Sequence, residues 1–261
     1  LERVWGPAVR RAKEEGAALQ ALADARGDAV TIEAWDFRYY AEKVRAERYD
    51  LDDAEVKPYF ELGAMLRAVF TVAERLFGLR IVRREGLALY HPDVEAYEVL
   101  DATSRALIGL FLSDNFARPS KRSGAWMSAY REQSSVDGPV LPIIVNNNNF
   151  ARAPAGQPTL LSVDDVRTLF HEFGHGLHGL LSSVRYRRLA GTSVLRDFVE
   201  LPSQLLEHWA THPRVLGELA RHCETGASMP EALIAKLRAA ARFNQGFDAV
   251  EHLDAGFFCH L

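Results

Sequence analysis

Residues 162 to about 183 constrain the fold and the chemistry of this chain more than any other segment. Ser162 followed by Asp164 and Asp165 is typical of a helix N-terminus. A serine side chain can cap the first backbone amides, and acidic groups favour the positive end of the helix dipole. Apolar side chains then recur at helical spacing, at Val166, Leu169, Phe173, Leu177, Leu180 and Leu181. The pattern predicts a helix that buries one face in a core.

The opposite face of this predicted helix is unusual, because a core helix normally exposes charged side chains there. It carries three histidines, His171, His175 and His178. Glycines occupy positions 174, 176 and 179 of the same helix. Each glycine weakens a helix by about 1 kcal/mol but removes a side chain that would block a close neighbour. We therefore expect another backbone or a substrate to approach this helix closely.

The spacing of His171 and His175 favours a metal site. Residues four positions apart lie one turn apart on the same helix face, so the two imidazoles can converge on one tetrahedral Zn²⁺ ion. Glu172 lies to the side of that face, where a general base can accept a proton from a zinc-activated water. The alternative is a purely structural helix, and the histidine stripe opposite a regular apolar stripe argues against it.

The spacing leaves three candidates for the third ligand. His178 lies on the same face but roughly 10 Å along the helix axis from His171, too far for both to join His175 at one ion. Glu200 and Glu207 follow a predicted second helix start, with Asp197 as a candidate N-cap. A carboxylate from a helix packed across the first would complete the site and leave one position open for water. Spacing does not choose between the two glutamates.

Several ordered motifs resemble the thimet oligopeptidase family of zinc peptidases, peptidase family M3. The first is HEFGHGLHGL at 171–180, and RDFVELPSQ at 196–204 and EHW at 207–209 follow it. Upstream, YHPDV at 90–94 and SGAWM at 123–127 are similar to the bacterial peptidyl-dipeptidase branch more than to the oligopeptidase branch. The resemblance extends over essentially the whole chain.

The resemblance implies specific roles and a substrate class. Glu200 corresponds to the third zinc ligand and Glu172 to the general base, which leaves Glu207 as a helix residue without assigned chemistry. We expect one Zn²⁺ per chain and a peptidase that releases C-terminal dipeptides from short peptides. An endo-acting oligopeptidase is the alternative. The family fold is mostly helical and two-lobed, with a deep channel that admits short unfolded peptides.

One family motif is missing, the tyrosine-rich segment G-Y-x-A-x-Y-Y-x-Y-L-W that follows the zinc site and steadies the tetrahedral intermediate. Residues 254–258, DAGFF, are only faintly similar and lack the tyrosines. Loss of one such donor typically lowers the rate about 100- to 1000-fold. A catalytically incomplete zinc- or peptide-binding fragment is therefore a further alternative. Because the chain starts at Leu1 rather than Met and ends at Leu261 without a polar tail, we expect an internal segment of a longer protein.

The patterns along the chain predict a mainly α fold with a small β-sheet, a zincin-type catalytic region. Residues 1–78 are predicted to be helical, with a long apolar helix that ends at Gly78. Residues 79–150 contain short apolar runs typical of strands, including 79–82, 87–90 and 141–145, with loop or broken helix predicted at 118–138. Residues 151–261 supply the zinc-site helices. All three regions are interpreted as one catalytic domain.

Composition limits the partners and the compartment. A net charge of −4 over 261 residues gives no basic field for nucleic acid. No apolar stretch approaches the roughly 20 residues that span a bilayer. The two cysteines, Cys223 and Cys259, form no short paired spacing, so neither a disulfide framework nor a thiolate metal site is expected. The expected location is cytoplasmic, and the oligomeric state stays open.

Overall fold

The computed structural model describes residues 2–49 and 52–258. In this part of the chain the α-helices are α1 (Glu2–Arg26), α2 (Phe37–Tyr49), α3 (Asp53–Val56), α4 (Leu62–Phe77), α5 (Val163–Leu180), α6 (Leu201–Ala210), α7 (Pro213–Leu219), α8 (Glu231–Ala240) and α9 (Gln245–Phe258). The strands are β1 (Leu79–Arg83), β2 (Glu95–Asp101), β3 (Leu107–Phe116), β4 (Trp126–Arg131) and β5 (Ile143–Phe150). The predicted mainly helical fold with a small sheet is confirmed.

The chain divides into two compact units, one of Leu1–Glu55 with Glu231–Leu261 and one of Val56–Pro230. The first unit is helical, with a core cluster on α1 and α2 that includes Leu19, Tyr40 and Val44. In the same unit the buried carboxylate of Glu15 accepts hydrogen bonds from the backbone amides of Gly246 and Phe247. Glu15 thereby satisfies free amides at the start of α9. The interpretation of the whole chain as one catalytic domain stays a prediction.

The second unit is built on a five-stranded sheet with the order β1-β2-β3-β5-β4. β3 and β5 are parallel, and the other neighbouring strands are antiparallel. Helices α4 and α5 pack on it through an aromatic cluster, in which the ring of Phe173 lies 5.0 Å from that of Phe111 and 5.3 Å from that of Phe70. α4 ends at Gly78 in the left-handed conformation, as the sequence predicted.

Two local predictions are wrong. Residues 87–90 form no strand, and Tyr90 instead donates a hydrogen bond to the buried carboxylate of Asp114. β4 lies inside the segment predicted to be loop or broken helix. It is one of the two edge strands of the sheet, and its residues are half-buried or exposed. Backbone pairing with β5 stabilises β4. Because few of its side chains need to be buried, its sequence shows little of the apolar alternation that predicts a strand.

The four consecutive asparagines at 146–149 lie within β5. The side chain of Asn148 donates to that of Asn115 on β3 at 2.9 Å. Close by, Asp114 receives a bidentate pair of hydrogen bonds from Arg118 at 2.6 Å and one from Lys121 at 2.8 Å. A buried carboxylate needs such compensation for its lost hydration. Polar and charged contacts therefore fix this end of the central strands.

Two further expectations concern cysteines and membranes. Cys223 is a free, partly buried thiol, and Cys259 lies outside the described residues. Within the described chain, every helix is too short or too polar to span a membrane.

Helices α5 and α6 approach each other closely at Gly174. A Cβ atom at this position would lie 2.6 Å from the Cα of Ser203 and 2.7 Å from the carbonyl oxygen of Pro202. Both of these are backbone atoms, which cannot rotate away as a side chain can. The expectation of a close backbone neighbour is confirmed here, and only glycine permits this packing.

We predict that Gly174→Ala will lower the free energy of unfolding by about 1–3 kcal/mol, because overpacking against a backbone exceeds the gain in helix propensity. Gly176→Ala is the matched control on the same helix. Its Cβ would meet the side-chain oxygen of Asn146 at 3.2 Å, which a small side-chain shift relieves. Urea denaturation of the metal-free proteins measures both changes. An equal stability of the two variants would contradict the proposed backbone contact.

Candidate metal centre

Helix α5 carries the predicted histidines, and its start is fixed by a capping box. The Ser162 hydroxyl accepts a hydrogen bond from the amide of Asp165 at 3.1 Å, and the Asp165 carboxylate accepts from the amide of Ser162 at 2.9 Å. These reciprocal bonds satisfy two backbone amides of the first turn. The helix ends at Leu180, three residues before the predicted end.

The structure brings together His171, His175 and Glu200, with one donor atom from each within 4.8 Å of the others. The Oε2 atom of Glu200 lies 3.3 Å from Nε2 of His171 and 3.1 Å from Nε2 of His175. Ligands at about 2.0–2.1 Å from a tetrahedral zinc ion are about 3.3 Å apart. The donor types and these two distances therefore fit one Zn²⁺ ion.

Glu200 reaches this position from the N-terminus of α6. It is the residue immediately before the helix, so the predicted N-cap at Asp197 is wrong, and Pro202 lies in the first turn. The hydroxyl of Ser203, which is fully buried, lies 2.9 Å from Oε2 of Glu200 and 2.8 Å from its carbonyl oxygen. Ser203 thus restrains the Glu200 carboxylate, a contact that the sequence analysis missed.

Glu172 lies beside the cluster and is only 6% exposed. Burial raises the pKa of Glu172 to about 7, with a smaller opposing effect from the charge of His171 and a further increase from Glu200. Its Oε2 atom is buried and has no hydrogen-bond partner among the described residues. A carboxyl group with a pKa near neutrality can both accept and return a proton, as the predicted general base requires.

His178 lies apart from the three-residue cluster, in agreement with the distance argument along the helix. It lines an apolar cavity of about 450 Å³ together with Gly174, Leu201 and Pro202. Its ring is 6.2 Å from that of Phe198, and burial lowers the pKa of His178. The structure therefore places His178 in the wall of this apolar cavity rather than among the three candidate ligands.

Glu207 is the other glutamate that helix spacing allowed as a third ligand. It lies on the side of the His171 ring opposite to Glu200. Its Oε1 atom is 2.6 Å from Nδ1 of His171, the ring nitrogen that does not face Glu200. Glu200 and Glu207 are seven positions apart, which places them two turns apart on one side of a helix. That spacing was a signal that both carboxylates would face α5. The two glutamates contact opposite nitrogens of the same imidazole.

Comparison with known proteins identifies the family of this chain. The model of peptidase family M3 matches residues 2–259. The dipeptidyl carboxypeptidase of Escherichia coli is 49% identical over 251 residues, which are 95% of this chain and 37% of that protein. That of Salmonella typhimurium is 47% identical, over 95% of this chain and 36% of that protein. Oligopeptidase A of Escherichia coli is 36% identical, over 95% of this chain and 38% of that protein.

The chain thus spans little more than a third of the length of the relatives that it matches. The resemblance inferred from the motifs is confirmed, including the greater similarity to the dipeptidyl carboxypeptidases than to oligopeptidase A. The family match covers nearly all of the sequence, including the helices that carry the candidate centre. The chain belongs to peptidase family M3, a family of metallopeptidases.

Proposed function

We propose that this chain is the zinc-binding catalytic region of a peptidase that releases dipeptides from the C-termini of short peptides. The observation that carries the proposal is the convergence of His171, His175 and Glu200, with donor distances of 3.1 and 3.3 Å at the Glu200 carboxylate. The family membership supports a zincin-type site in one catalytic domain. The low cysteine content supports a cytoplasmic location.

In this proposal the Nε2 atoms of both histidines and the Glu200 carboxylate hold one Zn²⁺. Bound zinc lowers the pKa of a water molecule to about 7 and polarises a carbonyl group. Glu172 accepts the proton of the attacking water and returns it to the departing amine. Its burial suits this role, because a carboxyl group with a near-neutral pKa exchanges protons readily. Ser203 keeps the Glu200 carboxylate oriented toward the histidines.

The choice of a dipeptide-releasing activity over an endopeptidase activity rests on the relatives. The two dipeptidyl carboxypeptidases are 49% and 47% identical to the chain, and oligopeptidase A of Escherichia coli is 36% identical. Such a peptidase must distinguish the free carboxylate at the end of its substrate. We therefore propose short peptides with a free C-terminus as the substrates.

A second candidate function is a zinc- or peptide-binding region without turnover of its own. The observation behind it is that residues 1–261 do not contain the tyrosine-rich motif that the family resemblance implies. The chain also spans only 37% of the Escherichia coli dipeptidyl carboxypeptidase. Zinc binding is common to both candidates, and peptide hydrolysis separates them.

We predict one zinc ion per chain in the parent protein and its loss in His175→Ala and Glu200→Ala, because each variant leaves only two protein ligands. Mass spectrometry of the metal content after dialysis measures the stoichiometry. His252→Ala is the control, since this histidine is exposed and belongs to the other compact unit. A parent chain that binds no zinc even after reconstitution would contradict the proposed site.

Glu172→Gln is expected to retain zinc and to lower peptide hydrolysis about 100- to 10,000-fold, because an amide cannot accept the proton. Metal content and initial rates are measured on the same samples, so that loss of the base is distinguished from loss of the metal. Unchanged hydrolysis in Glu172→Gln would assign the base to another residue. A zinc-loaded parent chain that hydrolyses no peptide would favour the second candidate function.

The dipeptide-releasing activity predicts a requirement for the substrate carboxylate. Of two N-blocked peptides with one sequence, the free acid should lose its C-terminal dipeptide and the C-terminal amide should resist cleavage. Mass spectrometry of the products identifies the bond that is cut. Cleavage of both peptides at an internal bond would support the endo-acting alternative.

A further inference from the structure

We propose that Glu207 is a positioning residue that sets the orientation and the tautomer of His171, an inference that rests on the proposed zinc site. Its Oε1 atom lies 2.6 Å from Nδ1 of His171, a short distance typical of a charge-assisted hydrogen bond. Both side chains are largely buried, with 24% of Glu207 and 26% of His171 exposed. The contact is therefore shielded from the competition with water that weakens surface pairs.

The two ring nitrogens of His171 have different neighbours. Nδ1 faces Glu207, whereas Nε2 faces Oε2 of Glu200 at 3.3 Å. A carboxylate only accepts hydrogen bonds, so Glu207 requires a proton on Nδ1. The lone pair of a neutral imidazole is then on Nε2, the nitrogen that points into the cluster. Glu207 thereby holds His171 in the tautomer that a metal ligand needs.

Glu207 is held in place by α5 and α6 together. Glu207 lies on α6 and Glu200 immediately before it, and both contact histidines of α5. The close approach of the two helices at Gly174 brings them within reach. The second oxygen of Glu207 lies 3.5 Å from the guanidinium of Arg167, one turn before His171 on α5. Arg167 is 54% exposed, so its contribution to the orientation is small.

The second histidine of the cluster lacks an equivalent contact. Nδ1 of His175 is buried and has no hydrogen-bond partner among the described residues. Among the described residues a carboxylate therefore contacts Nδ1 of His171 but not Nδ1 of His175, although Glu200 contacts Nε2 of both rings. This asymmetry predicts that a change at Glu207 affects zinc binding through one ligand, while all three donors remain present.

The test is the zinc dissociation constant of Glu207→Ala and Glu207→Gln, measured by competition with a chelator of known affinity. Loss of a carboxylate behind a metal-bound histidine typically weakens metal affinity about 10- to 100-fold, and we expect this for Glu207→Ala. The isosteric Glu207→Gln keeps an acceptor of lower strength, so a smaller loss is expected. It also serves as the test variant if the alanine variant does not fold.

The control is Glu218→Gln, which removes a carboxylate of α7 that pairs with Arg75 at 2.7 Å, outside the cluster. It should bind zinc as the parent chain does. Urea denaturation of the metal-free proteins shows whether the Glu207 variants have the parent's stability. A weaker zinc affinity at unchanged metal-free stability separates positioning of the ligand from general support of the fold.

A spectroscopic readout follows the hydrogen bond directly. In the Co²⁺-substituted chain, the Nδ1 proton of His171 should give a paramagnetically shifted signal that exchanges slowly with water. This signal should be lost or exchange faster in Glu207→Ala and stay unchanged in Glu218→Gln. Zinc affinity within twofold of the parent in both Glu207 variants would overturn this inference alone. A parent chain that binds no zinc would overturn the proposed site together with it.

Discussion

The close packing of α6 on α5 is the contact on which the candidate centre depends. At Gly174 the two backbones approach so closely that a single methyl group would lie 2.6 Å from the Cα of Ser203. This approach brings α6 near enough for Glu200 to contact both histidines and for Glu207 to contact His171. A glycine in the middle of a helix costs stability, and the geometry of the site explains why it is present.

The electrostatics of the site follow from the same packing. Three carboxylates, those of Glu172, Glu200 and Glu207, lie around two imidazoles in a partly buried space. Burial raises the pKa of Glu172, and burial lowers the pKa of His175. The lowered pKa favours the uncharged form of His175, which offers an electron pair rather than a positive charge to a divalent cation.

Much of the fold was predictable where local signals and tertiary contacts agree. The left-handed Gly78 ended α4, and the Ser162 capping box began α5, as expected from short-range hydrogen bonding. The errors lie where distant partners decide. β4 is an edge strand defined by its pairing with β5, and Tyr90 is drawn to Asp114 rather than into a strand. Such contacts leave no periodic pattern in the sequence.

For the candidate centre, the sequence by itself determined that His171 and His175 share a helix face with Glu172 beside them. The period of the α-helix is a local property of the backbone, so four positions always return to the same side. The tertiary structure decided that Glu200 lies between the two histidines, that Ser203 restrains it and that Glu207 lies behind His171. The family resemblance favoured Glu200 but gave no geometry. The crossing of two helices depends on every side chain at their contact, and no spacing within one helix encodes it.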